Sequence, residues 1–142
     1  MSGSLYASDS NVADGGSAAP TLVLLHGFGA SHAVWNDVVA EFSETTRTIA
    51  YDLPGHGGSL AFPDAGPPKL AARAIVADLV ERGIGRAHVV GHSMGGAIAV
   101  LIGLMTPERI ASLTLLAPGG FGPQINGPLL RRYGAAVDRG EI

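Results

Sequence analysis

Three short apolar segments, each running into a glycine-rich turn, constrain the fold of this chain more than any other feature. They cover residues 21–25, 47–51 and 87–90, and a fourth apolar segment follows at 110–116. The first reads Thr-Leu-Val-Leu-Leu and lacks polar alternation, as expected of a strand buried on both faces of a parallel sheet. Helical patterns separate the segments. Strands that alternate with helices predict a parallel α/β sheet with right-handed crossovers.

The stretches between these strands carry helix signals. Ser31 is placed to cap a first helix, whose apolar stripe is Trp35, Val38, Val39 and Phe42. A second helix is predicted over 69–82, with Gly83 at its stop and a stripe formed by Ala72, Ile75, Val76, Leu79 and Val80. A third runs to about Met105, before Pro107, and is apolar nearly all round, so we expect it to be buried. A fourth is predicted over 128–138.

The turn after the third strand carries the strongest chemical signal. Gly91-His92-Ser93-Met94-Gly95 matches G-x-S-x-G, and it lies between a strand and a helix, as that motif requires. A nucleophilic serine there sits on a strained turn that lifts its hydroxyl clear of the sheet. Gly91 and Gly95 let the backbone double back. Ser93 is therefore the candidate catalytic nucleophile.

A second motif, His26-Gly27-Phe28-Gly29, follows the first strand. A serine that attacks a carbonyl needs backbone N–H donors aimed at the oxyanion, one from the residue after the serine and one from an upstream strand–helix loop. We assign these donors to Met94 and Phe28, with Gly27 and Gly29 shaping the loop. His26 is either a base or a residue that holds the loop by hydrogen bonds, and we favour the second role.

The third motif, DLPGHGGS from Asp52 to Ser59, follows the second strand. HGFG, DLPGHGGS and GHSMGG in this order on successive strand ends resemble the α/β-hydrolase family over about residues 20–120. The segment 115–123 also resembles the carbon–carbon bond hydrolases of aromatic ring-cleavage products and the hydrolase-like acyltransferases of acetoin-type systems. We expect Asp52 and His56 to order their loop rather than to catalyse.

The resemblance implies an incomplete α/β-hydrolase fold with about four strands and flanking helices. We divide the chain into a loose leader at 1–19, which could hide a short strand, a core at 20–122 and the beginning of a cap region at 123–142. The family's triad continues from serine to an acid and then a histidine, but no histidine follows Ser93, and the only later acids are Glu108, Asp138 and Glu141. We expect a fragment whose acid and histidine lie elsewhere, and which is inactive alone.

Several alternatives stay open. A complete chain that has lost catalysis would be a hydrolase-like binding protein. A dinucleotide-binding βαβ unit is a weaker alternative, because His32 occupies the position of the third glycine in the G-x-G-x-x-G motif of such units. No histidine pair has zinc-type spacing on a helix, and no glycine-rich loop continues into the Gly-Lys-Ser/Thr of a phosphate loop. An unpaired fourth strand would be an apolar edge that favours self-association.

The composition excludes several classes of partner and of functional site. The net charge is −3 and the nine basic residues are scattered, which indicates no nucleic-acid surface. The absence of cysteine excludes disulfides, thiolate zinc sites and a cysteine nucleophile. No Lys or Arg precedes Arg47, so we expect neither a signal peptide nor an Arg-rich transit peptide. The apolar run at 97–105 is far shorter than the roughly 20 residues that span a bilayer. We expect a cytoplasmic protein that acts on a small acyl compound, without a cofactor, a metal or a membrane partner.

Overall fold

A computed structural model describes residues 4–12, 19–62 and 66–141 and contains a five-stranded sheet. The strands are β1 (Ala7–Ser10), β2 (Thr21–Leu25), β3 (Arg47–Tyr51), β4 (Ala87–His92) and β5 (Ile110–Leu116), in the order β1-β3-β2-β4-β5. Strands β2 to β5 are parallel, whereas β1 pairs antiparallel with β3. The predicted α/β architecture is confirmed, with one strand more than the four expected.

The additional strand lies in the segment interpreted as a leader. Its sequence, Ala-Ser-Asp-Ser, has no apolar period that could reveal it. It is held by its pairing with β3 and by Asp9, whose carboxylate accepts hydrogen bonds from Arg47 (2.7 and 3.0 Å) and Arg82 (2.9 Å). Those guanidinium groups, Arg47 first, hold the pKa of Asp9 below its usual range. Residues 1–3 and 13–18 of the expected leader lie outside the described residues.

The described residues form four α-helices, which agree with the sequence patterns to within a few residues. They are α1 (Asn36–Phe42), α2 (Pro68–Glu81), α3 (Met94–Met105) and α4 (Gly127–Asp138). A 3-10 turn, His32–Trp35, precedes α1, and the Ser31 side chain caps it by accepting the Ala33 N–H. Gly83 follows α2 with φ of +72°, the left-handed conformation of a glycine stop. No helix in these described stretches is both long and apolar enough to cross a membrane.

The hydrophobic core lies between the sheet and helices α2 and α3. It contains the inward faces of β2, β3 and β4 together with Ile75 and Leu79 of α2 and Ile98 and Ile102 of α3. A smaller cluster covers the other face, where Leu24 and Ala50 pack against Trp35. Most residues of the apolar stripes predicted for the first two helices are buried or half-buried. The predicted stripes are nevertheless too broad, because Phe42 and Val80 are 42% and 50% exposed.

Helix α3 is less covered than the sequence predicts, and strand β5 lies at the edge of the sheet. One side of α3 packs in the core, but Leu104 is 75% exposed, so the helix is not buried all round. Strand β5 is the outer strand of the sheet, and Leu113 and Leu116 are 38% and 44% exposed. Among the described residues it pairs only with β4.

Candidate functional site

Ser93 occupies the turn between β4 and α3 in a backbone conformation that side chains rarely adopt. Its φ of 52° and ψ of −115° fall outside the regions open to residues with a Cβ atom at low cost. The turn is held on both sides, because the Ser93 N–H donates to the Leu116 carbonyl (3.0 Å) and the Ser93 carbonyl accepts from Gly119 (2.8 Å). The Ser93 hydroxyl has no hydrogen-bond partner among the described side chains and backbone groups. The sequence therefore predicts correctly that this turn is strained.

Two glycines allow the strand and the helix to cross closely at this turn. A Cβ atom on Gly91 would lie 2.6 Å from the Gly95 carbonyl carbon and 2.7 Å from the Cα of Gly96. A Cβ atom on Gly95 would lie 2.5 Å from the His26 carbonyl oxygen. All three distances are to backbone atoms, which cannot give way. The spacing of the motif is thus needed to bring α3 against β2.

The loop after β2 lies directly beside Ser93. A Cβ atom on Gly27 would lie 3.3 Å from the Cβ of Ser93 and 3.0 Å from His92 Nδ1. The next N–H group, that of Phe28, makes no hydrogen bond with the part of the chain that the structure describes. Met94 is the first residue of α3, where N–H groups have no partner within the helix. The structure therefore brings Ser93 and Gly27 into contact and places Phe28 and Met94 next to them in the chain.

His26 and His56 hold this loop. The fully buried His26 accepts the Leu53 N–H at Nε2 (3.0 Å) and donates from Nδ1 to the Gly27 carbonyl (2.7 Å). Burial, more than any other cause, lowers the pKa of His26, which favours the neutral ring. His56 accepts the Gly29 N–H at Nε2 (3.0 Å), and its ring stands edge-on to Phe28 with centroids 5.8 Å apart. These contacts agree with loop-holding roles for both histidines.

Asp52 is buried, 1% exposed, and its carboxylate is fully engaged. It accepts hydrogen bonds from the N–H of His32 (2.6 Å), from His32 Nδ1 (2.9 Å) and from the N–H of Gly58 (2.7 Å). Burial acts to raise the pKa of Asp52, but these hydrogen bonds together lower it below its usual value, so the group is ionised. The carboxylate orders the loop after β3, as expected, and it is not exposed for a ribose hydroxyl as the dinucleotide alternative requires.

A pocket of about 270 Å³ opens beside the loop and the start of α3. Its walls are Phe28, Leu53, Pro54, Gly55, His56, Gly66, Pro68, Ala71, Met94 and Ile98. A second pocket, of about 250 Å³, shares Phe28 and His56 and is lined on one side by α4. Among the described residues, no group of three or more His, Asp and Glu side chains is arranged to hold a metal ion.

Two features of this region are not evident from the sequence. Helix α4 packs on the loop after β2, since a Cβ atom on Gly29 would lie 2.7 Å from the Tyr133 ring and one on Gly134 would lie 3.3 Å from the Phe28 ring. The i, i+4 pair Tyr133 and Val137 is one signal of this packing in the sequence. The second feature is that His92 is exposed, with its ring beside the backbone of Gly27.

Comparison with known proteins identifies the family. The model of the family described as "Alpha/beta hydrolase family" matches residues 22–141. The chain belongs to the alpha/beta hydrolase family. The fold and the family resemblance drawn from HGFG, DLPGHGGS and GHSMGG are thereby confirmed.

Two curated relatives represent the two subgroups that the sequence resembles. The dihydrolipoyllysine-residue acetyltransferase component of the acetoin cleaving system of Pseudomonas putida is 38% identical over 128 residues, which are 90% of this chain and 35% of the relative. The 2-hydroxy-6-oxononadienedioate/2-hydroxy-6-oxononatrienedioate hydrolase of Burkholderia vietnamiensis is 41% identical over 115 residues, which are 78% of this chain and 40% of the relative. The chain thus spans little more than a third of the length of these relatives.

A solved structure has the same fold. An esterase from a marine microorganism superposes with a TM-score of 0.79 at 20% sequence identity. The match covers 96% of this chain and 51% of the esterase. The arrangement of strands and helices in this chain is therefore that of about one half of the esterase.

Proposed function

We propose that this chain carries the nucleophile and the oxyanion donors of a serine hydrolase that acts on an ester, a thioester or a related acyl compound. The observation that carries the proposal is the strained backbone of Ser93, with φ of 52° at a strand-to-helix turn against Gly27. Such strain costs of order 1–3 kcal/mol and persists where the surrounding structure enforces it, most often at active sites. Membership of a hydrolase family supports the same role.

In the proposed reaction the Ser93 oxygen attacks the substrate carbonyl carbon, and the carbonyl oxygen becomes an oxyanion. The N–H groups of Phe28 and Met94 donate hydrogen bonds to that oxygen, and the N-terminus of α3 favours the negative charge. Collapse of the intermediate expels the alcohol or thiol and leaves an acyl group on Ser93, which water then removes. Serine, base and oxyanion donors suffice for these steps, so the proposal includes no cofactor and no metal.

The proton acceptor lies outside these 142 residues in this proposal. No histidine follows Ser93 in the sequence, and His26, His32 and His56 are each engaged in hydrogen bonds that hold loops. The relatives extend well beyond the matched region, because this chain covers only 35% and 40% of them. A histidine and an acid supplied by such further sequence would activate Ser93.

A completed protein tests the proposal. Residues 1–126 of this chain would be joined to the part of the Pseudomonas putida relative that follows the corresponding position, and hydrolysis of p-nitrophenyl acetate would be measured near pH 8. We expect turnover that falls by about 10⁴-fold or more in Ser93→Ala, since triad serines contribute on that scale. The matched control Ser43→Ala, at the exposed end of α1, should keep full activity.

The 142-residue chain alone should show no turnover that depends on Ser93. Turnover by this chain that vanishes in Ser93→Ala would place a base within these residues and contradict the assignment of the base elsewhere. A completed protein that folds but remains inactive would favour the non-catalytic, hydrolase-like binding protein over the enzyme.

A further inference from the structure

We infer that the pocket of about 270 Å³ receives a short, uncharged aliphatic acyl chain, an inference that rests on the proposed function and names its substrate class. The pocket is lined by both Phe28 and Met94, the residues assigned as oxyanion donors. A carbonyl held by these two N–H groups would therefore project one of its substituents into the pocket.

The walls of the pocket are mostly apolar and largely fixed. Leu53 and Ile98 are 0% and 1% exposed and belong to the hydrophobic core, and Ala71 is 7% exposed. Pro54 and Pro68 add two rigid rings. Because the floor consists of core residues, the pocket is preformed, and its depth does not depend on mobile surface side chains.

The described lining offers nothing to neutralise a negative charge. Among the described residues that line the pocket there is no Lys or Arg, and the one titratable side chain, His56, is engaged by Gly29 at Nε2 and lies 3.2 Å from the Pro54 carbonyl at Nδ1. The neighbouring pocket contributes Asp138, a negative charge. A carboxylate at the end of the acyl chain would thus be buried without a partner, which is strongly unfavourable.

The volume limits the length of the chain. A water-sized group occupies about 30 Å³ in a liquid, so 270 Å³ holds at most about nine such groups. A straight chain of about six to eight carbons stays within this limit and would fill most of the pocket, and longer chains would extend into solvent without further contact.

The test uses unreactive straight-chain amides, from propanamide to decanamide, titrated into the 142-residue chain while the methyl resonances of Ile98 and Ala71 are followed by NMR. We expect affinity to rise about fourfold per added methylene, the value for burying one such group, and to level off between hexanamide and octanamide. Adipamate, which is hexanamide with a carboxylate in place of the terminal methyl group, should bind at least about tenfold more weakly.

Matched variants on α2 locate the binding. Ala71→Leu places three additional side-chain carbons in the pocket. The affinity for the amides should therefore level off at a chain about three methylenes shorter than in the unaltered protein. Ala77→Leu makes the same change at an exposed position of the same helix and should leave the series unaltered. Should Ala71→Leu fail to fold, the chain-length series and the adipamate comparison in the unaltered chain still decide the question.

Adipamate binding as tightly as hexanamide, affinity still rising through decanamide, or no shift at Ile98 would each overturn the inference. The Ser93→Ala variant separates this inference from the proposed function, because amide binding does not need the hydroxyl. Normal amide binding with an inactive completed enzyme would refute the proposed function and leave the pocket assignment standing.

Discussion

Replacement of Ser93 by glycine should stabilise the fold, against the usual effect of glycine. Glycine adopts the mirror image of any allowed conformation, so φ of 52° with ψ of −115° is as accessible to it as −52° with 115°. Relief of strain contributes about 1–3 kcal/mol, and the greater entropy of an unfolded glycine offsets about 0.5–1 kcal/mol. The Ser93 side chain makes no capping hydrogen bond that the substitution would remove. We expect a net gain of about 1 kcal/mol in the free energy of unfolding.

Urea unfolding followed by the fluorescence of Trp35, the single tryptophan and a buried one, measures this change. Ser31 provides the matched control, since it also precedes a helical turn but has ordinary extended angles (φ −148°, ψ 176°) and caps the Ala33 N–H. Ser31→Gly should lower the free energy of unfolding by a few tenths of a kcal/mol. If Ser93→Gly and Ser31→Gly both destabilise the chain, Ser93 is not strained and the argument for its role fails.

Three further predictions concern the packing and the charges of the fold. Gly95→Ala should lower the free energy of unfolding by about 2 kcal/mol in urea, because the added Cβ atom would meet the His26 carbonyl. In the control Gly103→Ala, in the same helix, the added Cβ atom meets only the side chain of Leu113, so the free energy of unfolding should stay the same or rise. The free energy of unfolding should fall as the pH drops below about 6.5, because His26 is protonated in the unfolded chain while burial lowers its pKa in the folded chain. If the free energy of unfolding of a His26→Gln variant falls as steeply between about pH 7.5 and 5 as that of the unaltered chain, this explanation is wrong. The outer edge of β5 should cause self-association, seen in sedimentation velocity as a sedimentation coefficient that rises with concentration. This association should weaken in Leu113→Lys but not in the control Val34→Lys, which changes an exposed residue away from the edge. An unchanged sedimentation coefficient in Leu113→Lys would show that this edge is not the contact surface.

Local patterns were enough to predict the parallel strands and the turns that bear the candidate site. The apolar runs of β2, β3 and β4 and the glycines around Ser93 each satisfy a requirement within a few residues of the chain. Even the strain at Ser93 follows from the spacing of Gly91 and Gly95. The roles expected for Asp52 and His56 are in keeping with the contacts found, since both side chains hold neighbouring loops.

The features that the sequence did not reveal depend on contacts between distant residues. Strand β1 is polar, and it is fixed by Asp9 through Arg47 and Arg82, which lie 38 and 73 residues away. The packing of α4 on the loop after β2 joins Tyr133 to Gly29, although neither residue signals the other. The exposure of Phe42, Val80 and Leu104 depends on which neighbours cover each helix, a property that periodicity alone does not fix.

Localisation of the acyl group tests the central claim most directly. The completed protein would be mixed with p-nitrophenyl acetate, quenched in acid within the first turnover, digested and analysed by mass spectrometry. The proposal predicts an added acetyl group on the peptide that contains Ser93, and its absence in Ser93→Ala. An acetyl group on another residue, or turnover that persists without Ser93, would show that this serine is not the nucleophile.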